Sequence, residues 1–302
     1  MVVAVVLNWN GGDDTMRSLE SLRGIETICV DNGSTDGSPD EVERRFPDVE
    51  LIRTGANLGF AGGNNIGIRR ALERGGEWVL LLNNDAVAGE GIAAALERAA
   101  AARPDAGLLA CKIYLDGDTL QSAGGSFDAR LGYSGRLAGY GSRDDGRFDV
   151  LREVARADGA AMAVSRVAVD RAGLLDEELF AYVEDVEWSL RIRRAGFAVV
   201  FVPEARVWHR GQTASGGSAS VTNLYYDTRN TIVVAERYRP LPRGVRSLRR
   251  LVAVGAHLVQ AARHPTRVAA ARAVVAGWND ARRGRLGARG TRPRAPRPSA
   301  PT

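Results

Sequence analysis

Five strand-like segments, spaced by stretches of helical periodicity, constrain this chain more than any other feature. VVAVVLNW (2–9), ETICVDN (26–32), VELIR (49–53), WVLLLNND (78–85) and AGLLACKIY (106–114) are largely unbroken apolar runs. A strand with one wet face alternates apolar and polar residues. A continuous run is instead buried on both faces, as in a parallel sheet covered by helices. The intervals supply those helices. After the first strand, Met16, Leu19 and Leu22 share one helical face, with Asp13 or Asp14 as the expected cap. Helices over 63–74 and 90–102 flank the fourth strand. The pattern predicts an α/β fold on a doubly wound, mostly parallel sheet.

Beyond the fifth strand the grammar changes. Residues 120–160 are Gly-rich and read as short hairpins. A strand (AAMAVS), a short helix (166–172), an acidic helix (183–194) and a strand (AVVFVP) follow. From about residue 221 helices dominate, and 245–283 carries Leu, Val and Ala at helical spacing with interspersed Arg, a basic amphipathic stretch. The expected organisation is a domain over 1–235, a basic helical appendage over 236–285, and a disordered Arg/Pro-rich tail over 286–302.

The net charge of +5 conceals an asymmetry. Residues 239–302 hold fifteen Arg and one Asp, or +14, which leaves −9 on the first 238. An acidic body with a basic end calls for an anionic partner at that end, either nucleic acid or a membrane surface. Cys29 and Cys111 both sit in apolar runs, so they read as buried free thiols in a reducing compartment. No segment approaches the roughly 18 apolar residues of a membrane span. The first ten residues lack the basic lead of a signal peptide. The expected location is cytoplasmic.

Sheets of this kind bind ligands at the carboxyl ends of their strands. Three such ends carry Asn/Asp clusters: Asn8-Trp9-Asn10, Asp31-Asn32-Gly33, and Asn83-Asn84-Asp85. Turn chemistry explains any one of them. All three at one sheet edge point to nucleotide binding. Asp31 is placed to accept hydrogen bonds from a ribose or base, and Asp85 to hold Mg²⁺, which uses one or two carboxylates plus substrate phosphates. NLGFAGGNNIG (57–67) is a Gly/Asn-rich segment leading into a helix, suited to close approach of an anion. It does not match a P-loop, and GxGxxG is missing after the first strand. Glu184 and Asp185 open the acidic helix. Acids in a first turn suit the helix dipole, and a carboxylate pair also suits a catalytic base. Val183, Val186 and Leu190 would form that helix's buried face, with the acids projecting from its rim.

In combination, VVLNWNG, VDNGSTDGS (30–38), NLGFAGGNNIG, LLLNNDAV (81–87), GLLDEELFAYVEDVEWSLRIRRAGF (173–197) and VPEARVWHRG (202–211) resemble a family 2 glycosyltransferase of the GT-A fold. The resemblance covers residues 2–235, and its branch is the rhamnosyltransferase-like enzymes of bacterial cell-surface polysaccharide synthesis. It implies a nucleotide-diphospho-sugar transferase-like sheet and an inverting transfer. Asp185 is then the general base and Glu184 its neighbour. Asn8, Asn10, Asp31, Asn57, Gly62, Asn65, Asn84, Asp85 and Arg229 contact or shape the site of the nucleotide-sugar donor. Trp188 either stacks on an acceptor sugar or belongs to the core. Asp85 and His209 hold a divalent metal, Mg²⁺ or Mn²⁺. Asn83 replaces the first Asp of the usual Asp-X-Asp, so ligation rests on Asp85. Glu187 stands where many relatives carry Asp. The implied donor is dTDP-rhamnose, with mannosyl, galactosyl and N-acetylglucosaminyl transfer as alternatives. The implied acceptor is a cell-envelope glycan or a polyprenyl-diphosphate-linked sugar, reached from the inner leaflet through the basic end. A sugar nucleotidyltransferase would carry a basic loop where NWNGGDD is acidic. A nucleic-acid binder would need an aromatic-plus-basic platform that the body lacks.

Overall fold

A computed structural model describes residues 1–127, 136–210 and 220–290. The first half runs β1 (Val2–Asn8), α1 (Gly12–Glu20), β2 (Thr27–Asp31), α2 (Ser38–Arg45), β3 (Glu50–Arg53), α3 (Gly59–Glu73), β4 (Trp78–Asn83), β5 (Ala86–Ala88), α4 (Ile92–Ala102) and β6 (Ala106–Asp116). The hairpin region holds β7 (Thr119–Ser122), β8 (Gly125–Ser126), β9 (Arg136–Leu137) and β10 (Arg152–Val154). Then come β11 (Ala161–Ser165), α5 (Arg166–Ala172), a 3₁₀ turn (Glu177–Leu179), α6 (Glu184–Arg194) and β12 (Ala198–His209). Three helices close the described chain: α7 (Val221–Tyr238), α8 (Arg243–Ala262) and α9 (Arg267–Arg282).

One sheet carries the main order β10-β12-β6-β11-β4-β1-β2-β3, with β5 on β12 and β7 on β6. β3, β2, β1 and β4 are mutually parallel, and β6 is parallel to β12, while β11 runs antiparallel between β4 and β6. The sheet is therefore mostly parallel and covered on both sides. Val2, Ala4 and Val6 of β1 pack toward α1, α2 and α4. Val3 and Val5 pack toward α3, α5 and α6. That two-sided burial is the reason β1 shows no polar alternation.

Helix α1 starts without a side-chain cap, contrary to the expectation for Asp13 or Asp14. Its entry is organised by Asn8, whose Oδ1 accepts from Gly11 N and Thr15 Oγ1. Both acids lie inside the first turn, where they still favour the dipole. Helix α3 begins four residues earlier than the sequence suggested, so Gly62 to Asn65 are helical rather than loop. Its glycines serve packing. A Cβ on Gly63 would come within 2.3 Å of Leu7, and one on Gly67 within 2.3 Å of Val5, so only glycine lets α3 lie this close to β1.

Strand β12 runs on beyond AVVFVP. A register shift between Val202 and Arg206, at Pro203, lets it continue along β6 and pair with β5, with His209 opposite Ala86. Lys112 on β6 is fully buried and pinned by Asp144 and Asp149, which anchors the loop before β10 to the sheet. The expected boundary at residue 235 falls within α7. Helices α7, α8 and α9 share a core of Leu224, Ile232, Ala253, Val254, Ala261, Ala270 and Val274. Residues 286–290 are not a free tail. Gly287 N donates to Glu178 O, and Arg289 N to the Tyr226 hydroxyl. The remainder of the expected tail lies outside the described residues. No helix among the described residues is long and apolar enough to cross a membrane.

Candidate active site

The three Asn/Asp clusters come together at one sheet edge because their strands are register neighbours: Asn8 pairs with Asp31, and Leu7 with Asn83. Asn8 is fully buried, and its amide reaches Asp31 Oδ1 (3.3 Å), Ser34 Oγ (3.2 Å) and Ser38 Oγ (2.8 Å). Expected at the donor, it instead knots β1 to β2 from beneath. Asn10 stays exposed in the left-handed region (φ 52°), and its Oδ1 accepts from Thr35 N. Asp31 is held through Oδ1 by Asn8 and by Ser34 N. Asn32, which sequence reasoning did not assign, donates to Asn57 Oδ1 and Gly59 O and accepts from Leu58 N, fixing the start of α3 beside β2. Asn57 remains exposed at that start. Asn65 does not reach the edge. Its amide binds Leu175 O and Glu177, and its Oδ1 accepts from Leu175 N, because the helix points it at the 175–177 segment. Gly62 is likewise helical and buried.

At the end of β4, Asn84 donates to Thr15 Oγ1. Asp85 Oδ1 lies 3.0 Å from His209 Nε2, and Asn83 Nδ2 lies 3.4 Å from the same nitrogen. His209 Nδ1 is 2.9 Å from Gln121 Oε1, and Gln121 Nε2 donates to Asp158 Oδ2 (3.1 Å). Because the Gln121 amide is fixed by Asp158, its oxygen faces the ring, so Nδ1 carries the proton and Nε2 points at Asp85. Burial lowers the His209 pKa, but the Asp85 carboxylate outweighs it and holds it above the usual value. An Nε2 facing a carboxylate at this distance must carry a proton or share a cation. One carboxylate and one imidazole fit the habit of Mg²⁺ or Mn²⁺, which take few protein ligands and complete their shell with phosphate and water. Among the described residues no group of three or more His, Cys, Asp or Glu forms a fuller cage.

The same chain of contacts runs on to the acidic pair. Gly159 N, next to Asp158, donates to Asp185 Oδ2 (3.0 Å), and Arg156 Nη2 binds that oxygen at 3.1 Å. Asp185 Oδ1 accepts from Val186 N. Glu184 is 6% exposed, and its Oε2 has no hydrogen-bond partner. The acids were expected at the rim of α6. They are buried instead, and the 156–159 segment covers Asp185 through Arg156 and Gly159, while α7 packs Val234 and Tyr238 onto Leu179, Val183 and Leu190. Burial, and then the neighbouring Asp185, push Glu184 up to about 8. Burial also raises Asp185, and Arg156 only partly offsets the shift. Both carboxyls are therefore pushed up: Glu184 is neutral at pH 7, and Asp185 is the one that carries the Arg156 and Gly159 contacts.

The backbone delivering this pair is strained. Phe180 (φ 66°), Tyr182 (φ 66°) and Val183 (φ 71°) are left-handed, and the β-branched Val183 is the residue immediately before α6. Each such residue costs on the order of 1–3 kcal/mol and persists only where the surroundings impose it. Two expected site residues prove structural. Trp188 is fully buried, donating from Nε1 to Gly173 O, so no acceptor can stack on it. It follows Ile192 into the core beneath the sheet. Arg229 is 1% exposed, with its guanidinium committed to Asn230 Oδ1 and the carbonyls of Glu178, Leu179 and Gly287, so no donor diphosphate can reach it. Sequence reasoning missed Arg156, Gln121 and Asp158. They sit in the Gly-rich hairpin stretch, where no periodicity singles them out. Cys29 and Cys111 are buried as expected, and burial pushes both thiols up to about 12.

A family model described as "Glycosyltransferase like family 2" matches residues 25–224. The chain belongs to that family. This glycosyltransferase is 31% identical over 257 residues to N-acetylglucosaminyl-diphospho-decaprenol L-rhamnosyltransferase of Mycobacterium tuberculosis, covering 78% of the chain and 84% of the relative. It is 26% identical over 224 residues to dTDP-rhamnosyl transferase RfbF of Shigella flexneri, covering 69% and 68%. Among solved structures, GalNAc-T7 with UDP, GalNAc and Mn²⁺ aligns at TM-score 0.62 and 17% identity, over 87% of the chain and 57% of that protein. The mannosyltransferase PcManGT of Pyrobaculum calidifontis, with GDP-Man and Mn²⁺, aligns at TM-score 0.56 and 19% identity, over 91% and 75%. The fold is that of the GT-A glycosyltransferases.

Proposed function

We propose that this glycosyltransferase moves L-rhamnose from dTDP-rhamnose, with inversion, onto a lipid-linked or envelope glycan acceptor. The observation that carries the reading is the continuous polar chain from Asp85 through His209, Gln121 and Asp158 to Gly159 and Asp185, which ties a cation-type pair to a base. The two rhamnosyltransferase relatives support the choice of sugar. Asp185, held by Arg156 and Gly159 N, takes the proton of the acceptor hydroxyl as that oxygen attacks the anomeric carbon. Glu184, neutral at pH 7, adds no second negative charge beside the incoming hydroxyl. Asp31, Asn10 and Asn57 line the nucleoside side of the edge. Asp85 and His209 would hold a divalent cation, which when bound neutralises charge on the departing diphosphate. Holding both reactants in one orientation supplies much of the acceleration.

The acceptor's lipid carrier places the enzyme at an anionic membrane surface. Helix α8 supports this. Its buried face is Ala253, Val254, His257 and Ala261, while Val245, Leu248, Leu251, Val252 and Val259 form an exposed apolar stripe beside exposed Arg243, Arg263 and Arg267. Such a helix lies in the headgroup plane, with each basic residue near the surface contributing about 1 kcal/mol.

A melting-temperature panel of dTDP, UDP and GDP with and without Mn²⁺, followed by turnover of dTDP-rhamnose, tests the donor. A ligand at ~100 times its dissociation constant adds roughly 2.7 kcal/mol. Metal-dependent stabilisation by dTDP is expected. Stabilisation by GDP instead would move the reading to mannose, and no response to any nucleotide would overturn it. For the membrane, Leu248→Glu should abolish flotation with phosphatidylglycerol vesicles at unchanged melting temperature.

A further inference from the structure

The left-handed turn before α6 is held from a distance by two adjacent side chains of α7. Asn230 Nδ2 donates to Leu179 O (2.9 Å), Ala181 O (2.9 Å) and Tyr182 O (2.7 Å). Arg229 Nη2 donates to Leu179 O (2.8 Å) and lies 3.4 Å from Glu178 O. Arg229 Nε donates to Asn230 Oδ1 (2.8 Å), which fixes the amide so that its nitrogen faces the turn. The guanidinium is steadied by the Tyr225 and Tyr226 rings at 5.6 and 4.9 Å and by Gly287 O at 2.6 Å. Phe180 O, on the far side, accepts from Ala61 N of α3 (3.2 Å), and a Cβ on Gly59 would come within 2.4 Å of that oxygen. The turn is thus gripped between α3 and α7, and the carbonyls of Glu178, Leu179, Ala181 and Tyr182 point at one amide and one guanidinium.

We infer that Arg229 and Asn230 are positioning residues that clamp the 179–183 turn so that Glu184 and Asp185 stay buried at the acceptor side. This rests on the assignment of Asp185 as base, but the clamp itself has readouts that need no turnover. Successive left-handed non-glycine residues relax to ordinary backbone once their carbonyls are released. Relaxation at Val183 moves the first turn of α6 and lets water reach Glu184, which Asp185, Arg156 and Asp227 also face.

Asn230→Leu removes the donors at similar volume. In the full-length, cooperatively melting variant, amide exchange at 180–185 should accelerate about 10- to 100-fold. The Glu184 carboxyl, followed by ¹³C NMR, should titrate at least ~1 pH unit lower as it gains solvent. With dTDP-rhamnose as donor, kcat should fall at least ~10-fold while donor KM stays within ~3-fold. Adding Val183→Gly, which tolerates φ > 0 without strain, should recover part of the lost kcat and exchange protection. Unchanged exchange and titration in folded Asn230→Leu, or no recovery from Val183→Gly, would overturn the clamp. Should Asn230→Leu not fold, Arg229→Lys, which keeps a cation and loses the Nε bond, is read in the same way. A wild-type enzyme that leaves dTDP-rhamnose intact would sink the donor assignment alone, since exchange and titration report on the clamp independently.

Discussion

The sheet edge proposed for the nucleotide and the turn that delivers the proposed base are positioned by opposite means. At the edge, functional groups follow directly from strand register: Asn8 stands beside Asp31, and short polar side chains close the loops locally. At the turn, the backbone is left-handed against its own preference, and side chains some fifty residues downstream impose it. The first arrangement is robust and self-contained. The second is conditional on the packing of another element.

Asp185→Asn is the harshest test of that difference. It keeps the shape and removes the proposed base, so kcat should drop ~10²- to 10⁴-fold. Donor binding by calorimetry should be untouched, and a parallel loss of donor affinity would show that the two regions are not separable. Trp188→Ala should cost about 3–5 kcal/mol of stability, as a buried aromatic does. Its remaining folded fraction should show unchanged acceptor KM, whereas a selective rise in acceptor KM would return Trp188 to the site.

Glu184 sharpens the comparison through pH. Its pKa is raised to about 8 in the folded state, above the unfolded 4.5, so folding favours its protonated form. That contribution is fully present below about pH 4.5 and is lost as pH rises toward 8, a change of roughly a few kcal/mol at 1.36 kcal/mol per unit. Melting temperature followed over this range should therefore slope less steeply downward in Glu184→Gln than in the wild type. An identical slope would mean the carboxyl is not buried neutral. The smallest expected effect belongs to the nucleotide side. Gln121→Leu frees the His209 ring and should weaken Mn²⁺ affinity ~10- to 100-fold, as loss of an orienting partner does. Titration calorimetry with Mn²⁺ and dTDP would show no change if His209 is only a structural ion-pair partner.

The sheet was legible because two-sided burial writes itself as unbroken apolar runs, and the meeting of the Asn/Asp clusters followed from that. The extent of β12 was less so, because Pro203 interrupts the pattern at the register shift that lets the strand carry His209 to Asp85. Asn8, Asn65, Trp188 and Arg229 were assigned to the site because they lie within or beside motifs. A motif gives position along the chain and not side-chain direction, and each of these four points inward. Arg156, Gln121 and Asp158 were illegible for the opposite reason: they belong to hairpins without periodicity and act only through contacts made by the finished fold. The burial of Asp185 was hidden likewise, since the 156–159 segment supplies its cover.

The bond from Arg229 to Gly287 O has a consequence for the order in which the protein is made. The sheet is complete once His209 has been synthesised, so the nucleotide edge can assemble on the nascent chain. The last support of the Arg229 guanidinium comes only with residue 287, after Asn230 and Arg229 can already reach the turn. A partly synthesised chain can therefore form its sheet edge before the turn ahead of α6 gains its full set of side-chain contacts.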